Sequence, residues 1–173
     1  ENTFIDEVRA FYNIVDAMED IFKVVEPAPI NQNAYGHKIR EILTIACTEV
    51  EYLLLRFLKD NGYEDKKRYP TEDYVKALQI LKLDHYQVKL KMHPSLGKLS
   101  PFKDWTPSKP TKSLFWYDAY NVVKHDRGGN FSNASMKALI YSIAAIHVLL
   151  ESQYGQKIFD KPMYSSFESC FRT

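Results

Sequence analysis

Apolar residues recur at helical spacing along most of the chain. Between Thr3 and Val25 they return every three or four residues, which places them on one face of a helix. The members of this stripe are Phe4, Val8, Phe11, Val15, Met18 and Phe22. Pro27 and Pro29 follow, and proline cannot continue a helix because it lacks the backbone N–H. The pattern therefore predicts a first helix over residues 3–25.

A second stripe of the same period predicts a helix from His37 to Lys59. Asn61-Gly62 follows it, and these residue types readily adopt the left-handed conformation that ends helices. A shorter helix is predicted to begin at Thr71, with this threonine as its N-cap, and to end near Leu83.

The period then changes from helical to alternating. From Tyr86 to Met92, apolar and polar residues alternate, as in a half-buried strand. Residues Leu99–Trp105 are expected to return as its partner, at a sheet edge because Pro101 cannot donate a ladder hydrogen bond. The sequence predicts a small two-stranded β-hairpin or flap between the third and fourth helices.

Two further helices are predicted after this flap. The fourth covers Leu114–His125, with Ser113 as its N-cap, and a turn at Gly128-Gly129 follows it. The fifth is predicted to have Ser132 as its N-cap and to end at Gly155.

The expected fold is mainly α: a four- to five-helix bundle in a single domain over 1–173. Its core is expected at about 36–153, with the N-terminal helix outside it and the aromatic C-terminal tail, 155–173, folded back onto the body. The chain has 173 residues, of which 45% are hydrophobic and 26% charged, as is typical of one globular domain.

Charge is distributed unevenly along the chain. Residues 82–127 carry nine Lys or Arg against four Asp, whereas the whole chain has a net charge of +1. This excess is consistent with a surface that faces an anion, although an ordinary solvated lysine-rich surface is the commoner explanation of such a pattern.

The two cysteines, Cys47 and Cys170, form neither a disulfide framework nor a metal-binding spacing. We therefore expect a reducing, cytoplasmic setting, no cofactor and no metal. No apolar run reaches the roughly 18 residues that a membrane span requires, so a membrane is not an expected partner. The chain begins at Glu1 without Met, which leaves a removed leader open.

The stretch Tyr120–Arg127 concentrates more chemistry than any other segment. Asn121 and His125 are four residues apart, so on a helix they project side by side. Lys124 and Tyr117 flank them on the same broad face. The opposite face, expected in the core, consists of Phe115, Ala119 and Val122.

A carboxylate on the second helix is a candidate support for this group. Glu49 falls at the edge of the apolar stripe, whereas Glu51 is expected to point outward. A carboxylate at the core edge needs a cation or hydrogen-bond donors, and Arg127, Lys124 and Arg56 are the candidates. The alternative is an ordinary solvated Glu49.

Tyr120-Asn121-x-x-x-His125 resembles the motif of HEPN domains, and Trp116–Arg127 after Phe102–Trp105 is similar to a group of uncharacterised bacterial HEPN-like proteins. The resemblance implies a four-helix core, homodimers with two motifs facing one cleft, and RNA or nucleotide binding. In active members it implies metal-independent RNA cleavage, in bacterial defence or toxin–antitoxin systems with an antitoxin partner. The family's arginine position holds Tyr120, which is a departure from the pattern.

The resemblance implies roles for the motif residues. His125 would be the general acid or base, Asn121 would position a phosphate or the imidazole, and Lys124 or Arg127 would stabilise the phosphorane. Supporting or binding positions would be Glu49, Tyr117, Tyr120 and Asp126. The second interpretation is a non-catalytic helical interaction or dimerisation protein. Cations then favour the negative end of the helix dipole, Asp126 balances their charge, and Gly128 caps the helix.

Overall fold

The computed structural model describes residues 3–159 and 171–172, and it confirms the mainly helical fold. The helices are α1 (Thr3–Phe22), α2 (His37–Asp60), α3 (Thr71–Tyr74), α4 (Ala77–Leu81), α5 (Phe115–His125), α6 (Arg127–Asn130) and α7 (Met136–Tyr154). The strands are β1 (Lys89–Leu90) and β2 (Phe171–Arg172). Within the described residues, no helix is both long and apolar enough to cross a membrane.

The long helices α1, α2, α5 and α7 form the bundle. The most extensive packing is between α2 and α7, and both α1 and α5 pack against this pair. Helix α7 is buried on nearly all sides from Met136 to Leu150, as expected of a central helix. Its buried Ser142 satisfies its hydroxyl by donating to the Leu139 carbonyl at 2.8 Å.

The ends of the bundle helices follow local chemistry. Helix α1 ends at Phe22, three residues before the predicted end. At the end of α2 the Asn61 amide donates to the Phe57 carbonyl at 2.7 Å, and Gly62 has a φ of +79°. The last helix begins after Ser135, whose Oγ accepts from the Ala138 N–H at 3.2 Å; the prediction of Ser132 as its cap was wrong.

The predicted third helix is broken into α3 and α4. Between them the backbone hydrogen bonds span three residues and not four, such as Lys76 N–H to the Asp73 carbonyl at 3.1 Å. This tighter winding interrupts the α-helix. Thr71 does not cap it; Pro70 holds the N-cap position, and the Thr71 hydroxyl bonds instead to the Thr111 hydroxyl at 2.7 Å.

The predicted hairpin is not confirmed. Val88 and Leu99 exchange two backbone hydrogen bonds of 2.8 Å as an isolated bridge, and β1 pairs with β2 in antiparallel register. After the bridge, the buried residues Phe102 and Trp105 are three residues apart, which does not fit the two-residue alternation of a strand.

The beginning of the C-terminal tail packs on the body as predicted. Ile158 and Phe159 are buried, and the Phe159 ring stacks on His147 with centroids 4.4 Å apart. Of the other aromatic residues predicted to pack there, Tyr164 and Phe167 lie outside the described residues, as does Cys170, and Phe171 belongs to β2.

Candidate functional site

Helix α5 carries the candidate residues and is oriented by an apolar face different from the predicted one. Its buried side chains are Trp116, Ala119, Tyr120 and Val123, spaced three and four residues apart. Phe115, predicted in the core, is 43% exposed. Two bulky aromatics, Trp116 and Tyr120, occupy the core in its place, because the amphipathic stripe of α5 allows either choice. Ser113 does not cap α5; its Oγ accepts from the Thr106 N–H at 3.0 Å.

This orientation leaves the C-terminal end of α5 open to solvent. His125 is the last residue of the helix, and His125, Lys124 and Asp126 are exposed, whereas Asn121, one turn earlier, is half-buried. The imidazole of His125 is therefore accessible to a ligand.

Tyr120 and Lys124 form a pair within the helix. The Lys124 ammonium donates to the buried Tyr120 hydroxyl at 3.1 Å. This hydrogen bond raises the pKa of Lys124, and the negative charge of Glu51 raises it further, whereas partial burial acts in the opposite direction. Lys124 thus holds a positive charge next to His125 in sequence.

Glu51, and not Glu49, is the carboxylate that meets α5. The Tyr117 hydroxyl donates to Glu51 Oε1 at 2.6 Å. Burial, followed by this hydrogen bond, raises the pKa of Tyr117 well above its usual range. Burial and the Glu51 charge also raise the pKa of nearby Tyr74 to about 12. The prediction that Glu51 points outward was wrong, because α5 packs against its flank of α2.

Glu49 lies on the other flank of α2, because residues two positions apart on an α-helix are rotated by about 200° around its axis. Burial and the negative charge of Glu7 on α1 raise the pKa of Glu49. Of its predicted cationic partners, Lys124 binds Tyr120 and Arg56 binds Glu7. The side chain of Arg127 lies outside what the structure describes.

Asp126 shapes the turn that follows His125. It is the N-cap of α6, and its Oδ1 accepts from the Gly129 N–H at 3.2 Å. Both Gly128 and Gly129 lie inside α6, so the expected Gly-Gly turn and Gly128 cap are wrong. A Cβ on Gly129 would lie 2.7 Å from Asp126 Oδ2, so any larger residue there requires the Asp126 side chain to move.

His147 is a core residue. It is buried in α7, its Nε2 lies 3.1 Å from Glu151 Oε2, and burial lowers its pKa. Among the described residues, no group of three or more His, Cys, Asp or Glu could hold a metal ion.

No family model, curated protein or solved structure matches this chain.

Glu51 and Tyr74 are the site-supporting residues that sequence reasoning missed. The signal for Glu51 was its position four residues after Cys47, which puts both on one flank of α2. That flank becomes significant only once α5 is known to cover it.

Proposed function

We propose that this protein is a HEPN-like domain that binds RNA or a nucleotide at the C-terminal end of α5. The supporting observation is the exposed imidazole of His125 beside Lys124, whose ammonium is held by the buried Tyr120. Tyr120 stands where the family pattern has arginine. It supplies no charge itself, but it anchors a lysine that does.

The chemistry this site fits is metal-independent cleavage at a ribose 2′-hydroxyl. The 2′-oxygen attacks the adjacent phosphorus, the bond to the 5′-oxygen breaks, and the products are a 2′,3′-cyclic phosphate and a 5′-hydroxyl. His125 takes the 2′-proton or gives a proton to the leaving oxygen, and Lys124 stabilises the charged phosphorane. Asn121 donates its amide to a phosphate oxygen.

One imidazole performs one of the two proton transfers in each step. A homodimer with two α5 ends facing one cleft supplies a second His125, which is the arrangement that the resemblance implies. The same resemblance implies a role in bacterial defence or a toxin–antitoxin pair, with an antitoxin as the protein partner.

The test is cleavage of a labelled mixed-sequence RNA in EDTA by the wild type, His125→Ala and His85→Ala. His85 is exposed and lies elsewhere on the fold, so its variant is the matched control. Removing an acid–base group costs about 10²–10⁴-fold in rate, so His125→Ala should lose cleavage while His85→Ala keeps it. Products with cyclic phosphate ends identify the 2′-hydroxyl route.

Binding is measured with the same RNA by fluorescence anisotropy. Binding without cleavage by the wild type would place the protein among non-catalytic RNA-binding relatives, with Tyr120 as the reason. Neither binding nor cleavage would reject the proposal.

A second candidate is a helical interaction or dimerisation protein in which the Tyr120–Arg127 turn is structural. Ile45 and Tyr52 favour it: they are seven residues apart on α2, so they share a face, and they are 49% and 45% exposed. The test is sedimentation equilibrium of the wild type and Ile45→Glu. A wild-type dimer that becomes monomeric in the variant, in a protein that does not bind RNA, would favour this candidate.

A further inference from the structure

A cleft of about 430 Å³ lies at the opposite end of α5 from His125. It is bounded by residues 98–104, by the first residues of α5 and by the first turns of α7. The volume falls within the range of about 300–1,000 Å³ that is typical of small-molecule sites.

The charged groups of the cleft are mostly cationic. Lys98, Lys103 and Lys137 line it, against one acid, Asp104. In the described part of the chain, none of these lysines forms an ion pair with an acid. Three unneutralised ammonium groups around one concavity attract an anion, because a cleft concentrates the field of like charges.

The cleft also contains an aromatic surface. The half-exposed ring of Phe115 meets the ring of Tyr141 edge-on, with centroids 4.8 Å apart. Lys137 lies over the Phe115 ring, 5.0 Å from its centroid. An exposed aromatic ring beside cations is a platform on which a nucleobase can stack.

The cleft wall provides hydrogen-bonding groups besides the lysines. The Ser113 oxygen already accepts a backbone N–H, so its own O–H is free to point toward a ligand. Burial, with a contribution from Asp104, raises the pKa of Tyr141, so its hydroxyl keeps its proton. Asp104 is an acceptor suited to a ribose hydroxyl.

We infer that this cleft binds a nucleotide, with the phosphate at Lys98 and Lys103 and the base against Phe115 and Tyr141. The nucleotide comes either free or as one unit of a single strand. Phe115 and His125 are ten residues apart on one helix, so the cleft lies about 15 Å from the His125 end. The inference is independent of the function proposed for His125.

The first experiment is isothermal titration of the full chain with ADP, adenosine and pyrophosphate. ADP should bind at least about tenfold more tightly than either fragment, since a charge-assisted hydrogen bond and a stacked base each contribute a factor of this order. Pyrophosphate that binds as tightly as ADP would overturn the assignment of the base to Phe115 and Tyr141.

Charge is tested with a double variant and a matched control. Lys98→Ala/Lys103→Ala should weaken ADP binding by about tenfold or more, because it removes both phosphate donors. Lys67→Ala/Lys157→Ala removes the same net charge from two exposed positions elsewhere and should keep ADP affinity within about threefold. Equal losses in the two variants would overturn the inference, since bulk charge would then explain binding. Phe115→Leu keeps the apolar volume and should lose about fivefold or more.

The source of the nucleotide is resolved with a fluorescein-labelled octauridylate. If binding of the octauridylate requires Lys98 and Lys103 while ADP does not bind, the cleft holds one nucleotide unit of a single strand. Failure of both probes to bind at millimolar concentration would reject the cleft as a nucleotide site.

Discussion

The hydroxyl of Tyr117 on α5 donates a 2.6 Å hydrogen bond to Glu51 on α2, across 66 positions of sequence. Tyr117 lies in the first turn of α5, and its ring also packs on Tyr120, with centroids 5.6 Å apart. This bond adds to the packing of the buried face of α5 on the bundle, and the two together set the direction in which its His125 end faces solvent.

Tyr117→Phe should lower the free energy of unfolding by about 1–2 kcal/mol, because it leaves the half-buried Glu51 without its donor. Urea denaturation measures the change, and Tyr35→Phe, at an exposed tyrosine, is the control. A double-mutant cycle with Glu51→Ala should give a coupling of about 1 kcal/mol. Additive losses in the cycle would mean that the bond carries no stability.

Arg56→Met should be much more damaging. Arg56 binds Glu7, which is only 3% exposed and also accepts from the Tyr154 hydroxyl at 2.6 Å. Removing the cation leaves a buried carboxylate uncompensated, which costs about 3–5 kcal/mol. The matched control is Lys59→Met, whose partner Asp65 is exposed, with an expected cost below about 1 kcal/mol. Equal effects in thermal unfolding would refute the role of Glu7.

Gly129→Ala and Gly128→Ala form a matched pair. A Cβ at Gly129 would meet Asp126 Oδ2 at 2.7 Å, whereas one at Gly128 would lie 3.8 Å from Oδ1. Gly129→Ala should displace the Asp126 cap and destabilise by about 1 kcal/mol. Gly128→Ala should be neutral or slightly stabilising, because alanine is the better helix residue. Chemical denaturation of both variants decides, and the reverse order would contradict the capping geometry.

His147 should make stability depend on pH. Burial lowers its pKa in the folded state below the value near 6.5 that it has when unfolded. Below pH 6.5 the unfolded chain therefore binds the extra proton, and stability falls as pH falls toward the folded-state value; above pH 6.5 the contribution is constant. His147 faces Glu151, whose charge opposes the shift, and the charge of Lys91 adds to it.

The measurement compares the pH dependence of unfolding free energy in the wild type and His147→Gln between pH 7.5 and 5. The variant should lose less stability on acidification than the wild type. Parallel curves would assign the acid sensitivity to other groups.

The sequence predicted those parts of the fold that periodicity governs. Helices α1, α2, α5 and α7 appeared within a few residues of their predicted limits because each carries a long apolar stripe. The hairpin was not confirmed because, of the alternating apolar residues from Tyr86 to Met92, only Val88 and Leu90 are buried. The following segment instead inserts Phe102 and Trp105 into the core.

The candidate site was predictable in part for the same reason. Spacing placed Asn121, Lys124 and His125 at one helix end, but it could not decide whether Glu49 or Glu51 faces α5. Both flank the same stripe, and only the packing of a helix more than 60 residues away distinguishes them. The cleft at Lys98, Lys103 and Lys137 could not be predicted from the sequence, because its residues come from three separate segments of the chain.

Helix α5 begins at that cleft, ends at His125 and is tied to α2 through Tyr117 between them. The rise per residue of a continuous α-helix is constant, so the length of α5 sets the distance between its two ends. A ligand that occupies both ends at once must span about 15 Å, so a strand of several nucleotides can bridge them and a single nucleotide cannot.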